Sequence, residues 1–295
     1  MFKTLLLLHL SVALAGATGV FGKWITITTL PLVWYRLLVS SVLCILVLTF
    51  TKKQITFTMR EFLRIGFVGA VLAIHWFFFY GSIKLSNVSV GVVCFSSMSF
   101  FTALLEPLVN KHKVSLRELF FGVLCVLGVL LIFSFDSKYR LGILAGTLSS
   151  ICAALFTIVN TRVGRDFSST KMLVGELAGG SIVASILVPI ALVLSDYTFD
   201  TVAVPGLSDG VKLIVFCAAC TVLLQFMQIQ GLQRVPTFTF NLTYALEPIY
   251  SIVYAVLLFQ EFREWSLAFV IGLCLIILPI IAQTVIFVKK KKATA

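Results

Sequence analysis

The chain has 295 residues, 60% of them hydrophobic and only 12% charged, with a formal net charge of +11. A soluble domain is about a quarter charged, so the composition excludes a soluble globular protein and indicates an integral membrane protein. The basic excess does not indicate nucleic acid, because the lysines and arginines lie in short connections and at the C-terminus, as in other polytopic chains.

Apolar runs bounded by charge or turn residues predict helices near 4–22, 31–50, 62–83, 88–109, 115–134, 140–160, 172–195, 210–232, 237–258 and 265–288. About twenty helical residues cross about 30 Å of hydrocarbon. The first run, opening MFKTLLLLHLSVALAGA, could pass for a signal peptide with Ala13-Leu14-Ala15 at its cleavage site. Its apolar pattern continues through Phe21, which predicts an uncleaved span. In the second, VWYRLL places Arg36 about a turn and a half inside. In the seventh, LVGELA places Glu176 at the corresponding position, 140 residues on. Opposite charges at equivalent positions suit halves of an outer and an inner gate; snorkelling to an interface explains them equally well.

The third span contains AIHWFFFYG. His75 is the only histidine deep in a span, where an ionisable group is by default functional. Trp76 and Tyr80 lie one turn apart and would offer a stacking surface to a flat ligand; the plainer reading is an aromatic packing cluster. The fourth span places Ser89, Ser96, Ser99, Thr102, Glu106 and Asn110 on one face, with Pro107 following Glu106 near the inner end. Glu106 is there either a gate residue or a snorkelling one. Gly66, Gly69, Gly175, Gly179 and Gly180 are expected to let helices approach closely. In the eighth span Cys217 and Cys220 have C-x-x-C spacing. No histidine or second cysteine pair accompanies them, so they read as buried small residues rather than metal ligands.

The ninth span holds NLTYALEPIYSIVY. At 100° per residue, Asn241, Tyr244, Glu247, Ser251 and Tyr254 fall within an arc of about 140°. A lipid-facing glutamate is costly, so this stripe is expected to face the bundle or a wet cavity. Glu247 would be a proton carrier or the anchor of a substrate amine; the alternative is a packing face with the acid hydrogen-bonded across it. Pro248 cannot donate to the carbonyl of Tyr244 and is expected to kink the helix in mid-span.

With the N-terminus cytoplasmic, fifteen loop lysines and arginines fall inside and five outside, which predicts both termini cytoplasmic. Lys289 to Lys292 would rest on the anionic leaflet. Ten helices divide into two fives, and an odd-numbered repeat inserts upside down relative to its twin. YGSIKLSNVSV (80–90) echoes QGLQRVPTFTF (230–240), and Gly122 matches Gly272 at the same offset. The fold class expected is therefore all-α integral membrane: ten transmembrane helices as two inverted five-helix repeats, residues 1–137 and 138–295.

KLSNVSVGVVCFSSMSFFTALLEPLV and LQRVPTFTFNLTYALEPIYSIVYAVLLFQEF resemble the two signature regions of EamA-type permeases of the drug/metabolite transporter superfamily. The resemblance spans essentially the whole chain and implies a carrier with a central cavity and alternating access. His75–Trp76 sits where several such permeases place a similar pair. Ser99 stands where the family often has a proline, whereas Pro248 keeps its counterpart, so the two halves are expected to bend differently.

The five aspartates (Asp136, Asp166, Asp196, Asp200, Asp209) lie in connections or at their edges, and there is no H-E-x-x-H, G-x-S-x-G or P-loop. Neither an intramembrane enzyme nor an ATP-driven pump is expected. The expected function is secondary transport of small organic metabolites, an amino acid or related compound, by export across the plasma membrane. Protons are a candidate partner, no cofactor or metal is expected, and the carrier is a monomer or homodimer. A multidrug exporter of the same fold is the alternative, and a channel a weaker one.

Overall fold

The computed structural model describes residues 2–132, 139–194, 205–259 and 267–293, and every regular element among them is helical. Asp136, Asp196, Asp200, Lys138 and Arg263 lie outside the described residues, as do the side chains of Ser89, Lys291 and Lys292.

The first half comprises α1 (Phe2–Trp24), α2 (Thr29–Phe50), α3 (Met59–Leu85), α4 (Val88–Ser96), α5 (Met98–Asn110) and α6 (Leu116–Ile132). The second comprises α7 (Arg140–Val163), α8 (Ser169–Leu194), α9 (Leu207–Cys217), α10 (Leu224–Leu232), α11 (Thr237–Tyr244), α12 (Glu247–Phe259) and α13 (Leu267–Ala293). A π-helical turn, Ala218–Leu223, joins α9 to α10. Eight of the resulting rods are long and apolar enough to cross a membrane, and the 17-residue α6 and the α11–α12 pair stand beside them.

Local chemistry sets the ends. Thr58 caps α3 reciprocally with Glu61, which starts the helix three residues before the hydrophobic run begins. Asn87 caps α4 through the Val90 N–H.

The fourth and ninth spans are both broken, which corrects two expectations. Pro248 does not kink a continuous helix. It lies in the first turn of α12, where a missing N–H costs nothing. The halves also do not bend differently. α4 ends at Ser97, whose hydroxyl and N–H both donate to the Cys94 carbonyl at 2.5 and 3.1 Å. In the ninth span the N–H groups of Ala245 and Leu246 donate to Leu242 and Thr243, again three residues back. A serine bonding back to the backbone thus interrupts the first helix where tight i→i+3 turns and a following proline interrupt the second.

The packing shows a pseudo-twofold pattern. α3 packs on α7 and α8, and their counterparts, α10 on α1 and α9 on α2, repeat both contacts. α1 lies along α12 as α7 lies along α4 and α5, while α6 packs against its own counterpart α13. Glycines permit the closest crossings: a Cβ on Gly69 would collide with the backbone of Glu176, and one on Gly179 with that of Gly66.

Candidate functional site

Between the halves lies a cavity of about 40 Å³, lined by Ala15 and Thr18 of α1, Arg36 of α2, His75, Trp76, Phe79 and Tyr80 of α3, Phe95 of α4, Leu224, Gln225 and Gln228 of α10, and Glu247 of α12. It has room for a few water molecules. The four α3 residues are spaced i, i+1, i+4 and i+5, two adjacent rows on one helical face.

Arg36 is the structural centre. It is 2% exposed, which excludes snorkelling. Its guanidinium lies 3.6 Å from the Trp76 ring centroid. Nη1 donates to Tyr80 Oη at 2.7 Å, Nε to Thr221 Oγ1 at 2.8 Å, and Nη2 to the Cys220 carbonyl at 2.8 Å. Both last acceptors come from the π-helical turn, whose altered winding turns a main-chain oxygen toward the guanidinium. The Trp76–Tyr80 surface expected for a flat ligand is therefore already occupied by Arg36 on the Trp76 face.

Glu247 enters the cavity from the N-terminal turn of α12, where the helix dipole favours a carboxylate. It is buried, and no described residue gives it a hydrogen bond. The packing alternative, an acid bonded across a helix interface, does not describe Glu247. It does describe Glu176, which is fully buried in α8 with Oε1 accepting from Asn160 Nδ2 at 2.8 Å and Oε2 from Gln225 Nε2 at 2.7 Å. Glu176 does not snorkel either.

His75 is anchored by Ser149 of α7, whose carbonyl and hydroxyl both lie about 3 Å from Nδ1. The carbonyl can only accept, so Nδ1 carries the proton and Nε2 is the nitrogen left for other partners.

The other expected residues lie elsewhere. Asn241 donates to Thr102 and Thr157, tying α11 to α5 and α7. Tyr244 stacks on Phe240 and donates to Ser11 of α1. Ser251 donates to the Gly16 carbonyl at 2.7 Å, and Tyr254 is half-exposed without lining the cavity. Ser96 and Ser99 are buried but also stand outside it. The stripe computed at 100° per residue does not share one face, because the break at Ala245–Leu246 re-phases α12 against α11. Glu106 lines a second, open cavity of about 810 Å³ with Arg165 and Arg234, and Pro107 is buried within α5.

Gln225 and Gln228 were not singled out from the sequence. Of the three amides in the apolar run LLQFMQIQ, these two lie one turn apart, and that spacing is the signal that marks them.

The sequence model of the EamA-like transporter family matches residues 2–134 and 140–283. Among 29 matching chains of solved structures, one crystal structure is similar at a TM-score of 0.71 and 14% identity, covering 98% of this chain and 99% of its own. At that identity the likeness concerns the fold. No curated protein matches the sequence.

Proposed function

Because the chain belongs to the EamA-like transporter family, we propose that it is a secondary carrier of small organic metabolites, an amino acid or related compound. It exports them across the plasma membrane by alternating access, with both termini cytoplasmic and the basic end of α13 against the anionic leaflet. One observation carries the reading: Glu247 is a buried acid, with no hydrogen bond from the described residues, on the wall of a central cavity. A bilayer protein retains such a group at a cost of several kcal/mol, which transport of a proton or of a solute amine would justify. The aromatic wall of Phe79 and Phe95 supports the rival reading, export of flat drug-like compounds.

Counterflow into proteoliposomes loaded with mixed amino acids, with and without a pH gradient, tests the proposal. The expected result is saturable exchange that the gradient stimulates in wild type and not in Glu247→Gln. Exchange indifferent to the gradient removes the proton from the reading and leaves a facilitator. Unsaturable flux with single-channel currents sinks the carrier.

A further inference from the structure

The open cavity of about 810 Å³ lies at the end of the bundle where α5, α7 and α13 finish, and it shares no lining residue with the central one. Arg165, in the connection after α7, and Arg234, in the connection before α11, both line it. Neither guanidinium makes a hydrogen bond or close ion pair with a described residue. Their supports are nonetheless pinned. Gln233 donates through Nε2 to the Gly164 and Phe167 carbonyls at 2.9 and 3.1 Å and accepts from the Ser169 hydroxyl at 2.7 Å, which fastens one connection to the other. Two guanidiniums held in this way are the donors that a phosphate accepts in pairs. Glu106 of α5 lines the same cavity, with Thr237 at its carboxyl and Arg165 near enough to attract it without a close ion pair. Asp166, next to Arg165 in the chain, is already paired with Arg64. The cavity thus offers two cations and one anion, none of them neutralised by direct ionic contact with a described residue.

The geometry points to a phosphoethanolamine site in which Arg165 and Arg234 receive the phosphate and Glu106 the ammonium, the group being carried by a phospholipid of the adjoining leaflet. Two features favour the lipid over a free ion. Phe287 lines the cavity two residues before Lys289, where the apolar span of α13 ends and the headgroup layer begins. Phe287, Leu232, Val235 and Pro236 also supply apolar surface for the glycerol and the first acyl carbons, which a free ion does not need. The choice of headgroup follows from the charges. A phosphoglycerol headgroup has no cation for Glu106, and a choline has no N–H for it to accept. Phe167 lines the cavity too, but Arg64 and Lys171 already lie 5.3 and 5.4 Å from its ring, so it is not free to take a quaternary ammonium. A bound headgroup joins α5 of the first half to two connections of the second, on the face where Arg64–Asp166 and Lys171–Glu61 also join them. The inference stands on the membrane fold and not on which solute the carrier moves.

Lipid competition on the purified full chain tests the inference. The protein is stripped of lipid in detergent and offered equal amounts of phosphatidylethanolamine, phosphatidylglycerol and phosphatidylcholine with the same acyl chains. Native mass spectrometry then reads which lipid stays bound. Wild type should retain phosphatidylethanolamine over each of the others by about fivefold, the order expected for a partly exposed charge-assisted hydrogen bond. Glu106→Gln should bring that ratio close to one while phospholipid still binds. Arg165→Gln combined with Arg234→Gln should lower retention of all three lipids. Lys53→Gln, which removes an exposed cation outside the cavity, should change neither the ratio nor the amount. The headgroup ratio is read within one protein and does not depend on how much of it folds. Free phosphoethanolamine then competes with the bound lipid. Displacement only at large excess keeps the lipid as occupant, whereas displacement at equal concentration overturns the lipid and transfers the site to the soluble ion. The whole inference is overturned if wild type retains the three lipids equally, or if Glu106→Gln and the arginine pair keep the wild-type pattern. Counterflow is scored separately, so either result leaves the carrier reading intact, and failure of counterflow leaves this site intact.

Discussion

Glu176 and Glu247 are both buried acids in apolar helices, yet the packing treats them oppositely. Glu176 accepts an amide N–H on each oxygen, whereas Glu247 accepts none from the described residues. Glu176→Ala leaves two buried donors unpaired and should cost about 1–2 kcal/mol per lost interhelical bond. Thermal unfolding in detergent should therefore show a clear fall for Glu176→Ala and a smaller one for Glu176→Gln. Glu247→Gln should leave the unfolding temperature close to wild type, because it gives up no hydrogen bond to the described residues, while it abolishes gradient-stimulated exchange. A Glu247→Gln variant that unfolds as early as Glu176→Ala would show that Glu247 is a structural residue. The sequence marked both acids, since any carboxylate in a span is costly. It did not separate them, because the partners that satisfy Glu176 are 16 and 49 residues away.

At the scale of the helix, the two breaks matter more than the proline. α4 and α5 separate at Ser97 with no proline present, so Pro248→Ala should leave the α11–α12 break in place. Amide hydrogen exchange over 245–249 should stay close to wild type; strong new protection there would show that Pro248 alone makes the break. The glycine crossing of α3 and α8 is less forgiving. A Cβ on Gly69 meets backbone rather than a flexible side-chain end, so Gly69→Ala must move a helix. It should reduce the yield of folded, monodisperse protein, measured by size exclusion, whereas Gly81→Ala, which meets open space, should not. Span positions and the role of these glycines were legible from composition alone. The stripe on the ninth span was not, because a fixed 100° per residue assumes a continuous helix.

At the scale of the molecule, both faces of the bundle are tied across the two halves. On one, Asp209 accepts from the N–H and hydroxyl of Thr26 and from Lys212, fastening the α1–α2 connection to α9. On the other, Arg64 pairs with Asp166 and Lys171 with Glu61, fastening α3 to the start of α8 and the connection before it. Alternating access requires one set to open while the other holds. Asp209→Ala should bias the carrier toward opening on its own face. In a protein retaining only Cys220 among its cysteines, maleimide labelling of that buried thiol should rise severalfold over the Asp209 background. Unchanged labelling would show that these bonds are ornament rather than a gate.

The sequence by itself determined the membrane, the spans and the twofold repetition, because hydrophobic length and internal similarity are local properties of a chain that lipid reads directly. It also identified Glu247, Arg36 and His75 as residues needing explanation. Only the tertiary structure decided that Arg36 and Glu247 share one cavity, that Trp76 serves the guanidinium, and that Tyr244, Asn241 and Ser251 belong to helix packing. Those outcomes depend on where a helix breaks and which neighbour meets each face. Both are settled by contacts between residues far apart in the chain, such as Arg36 with Thr221, and no periodicity within one span records them.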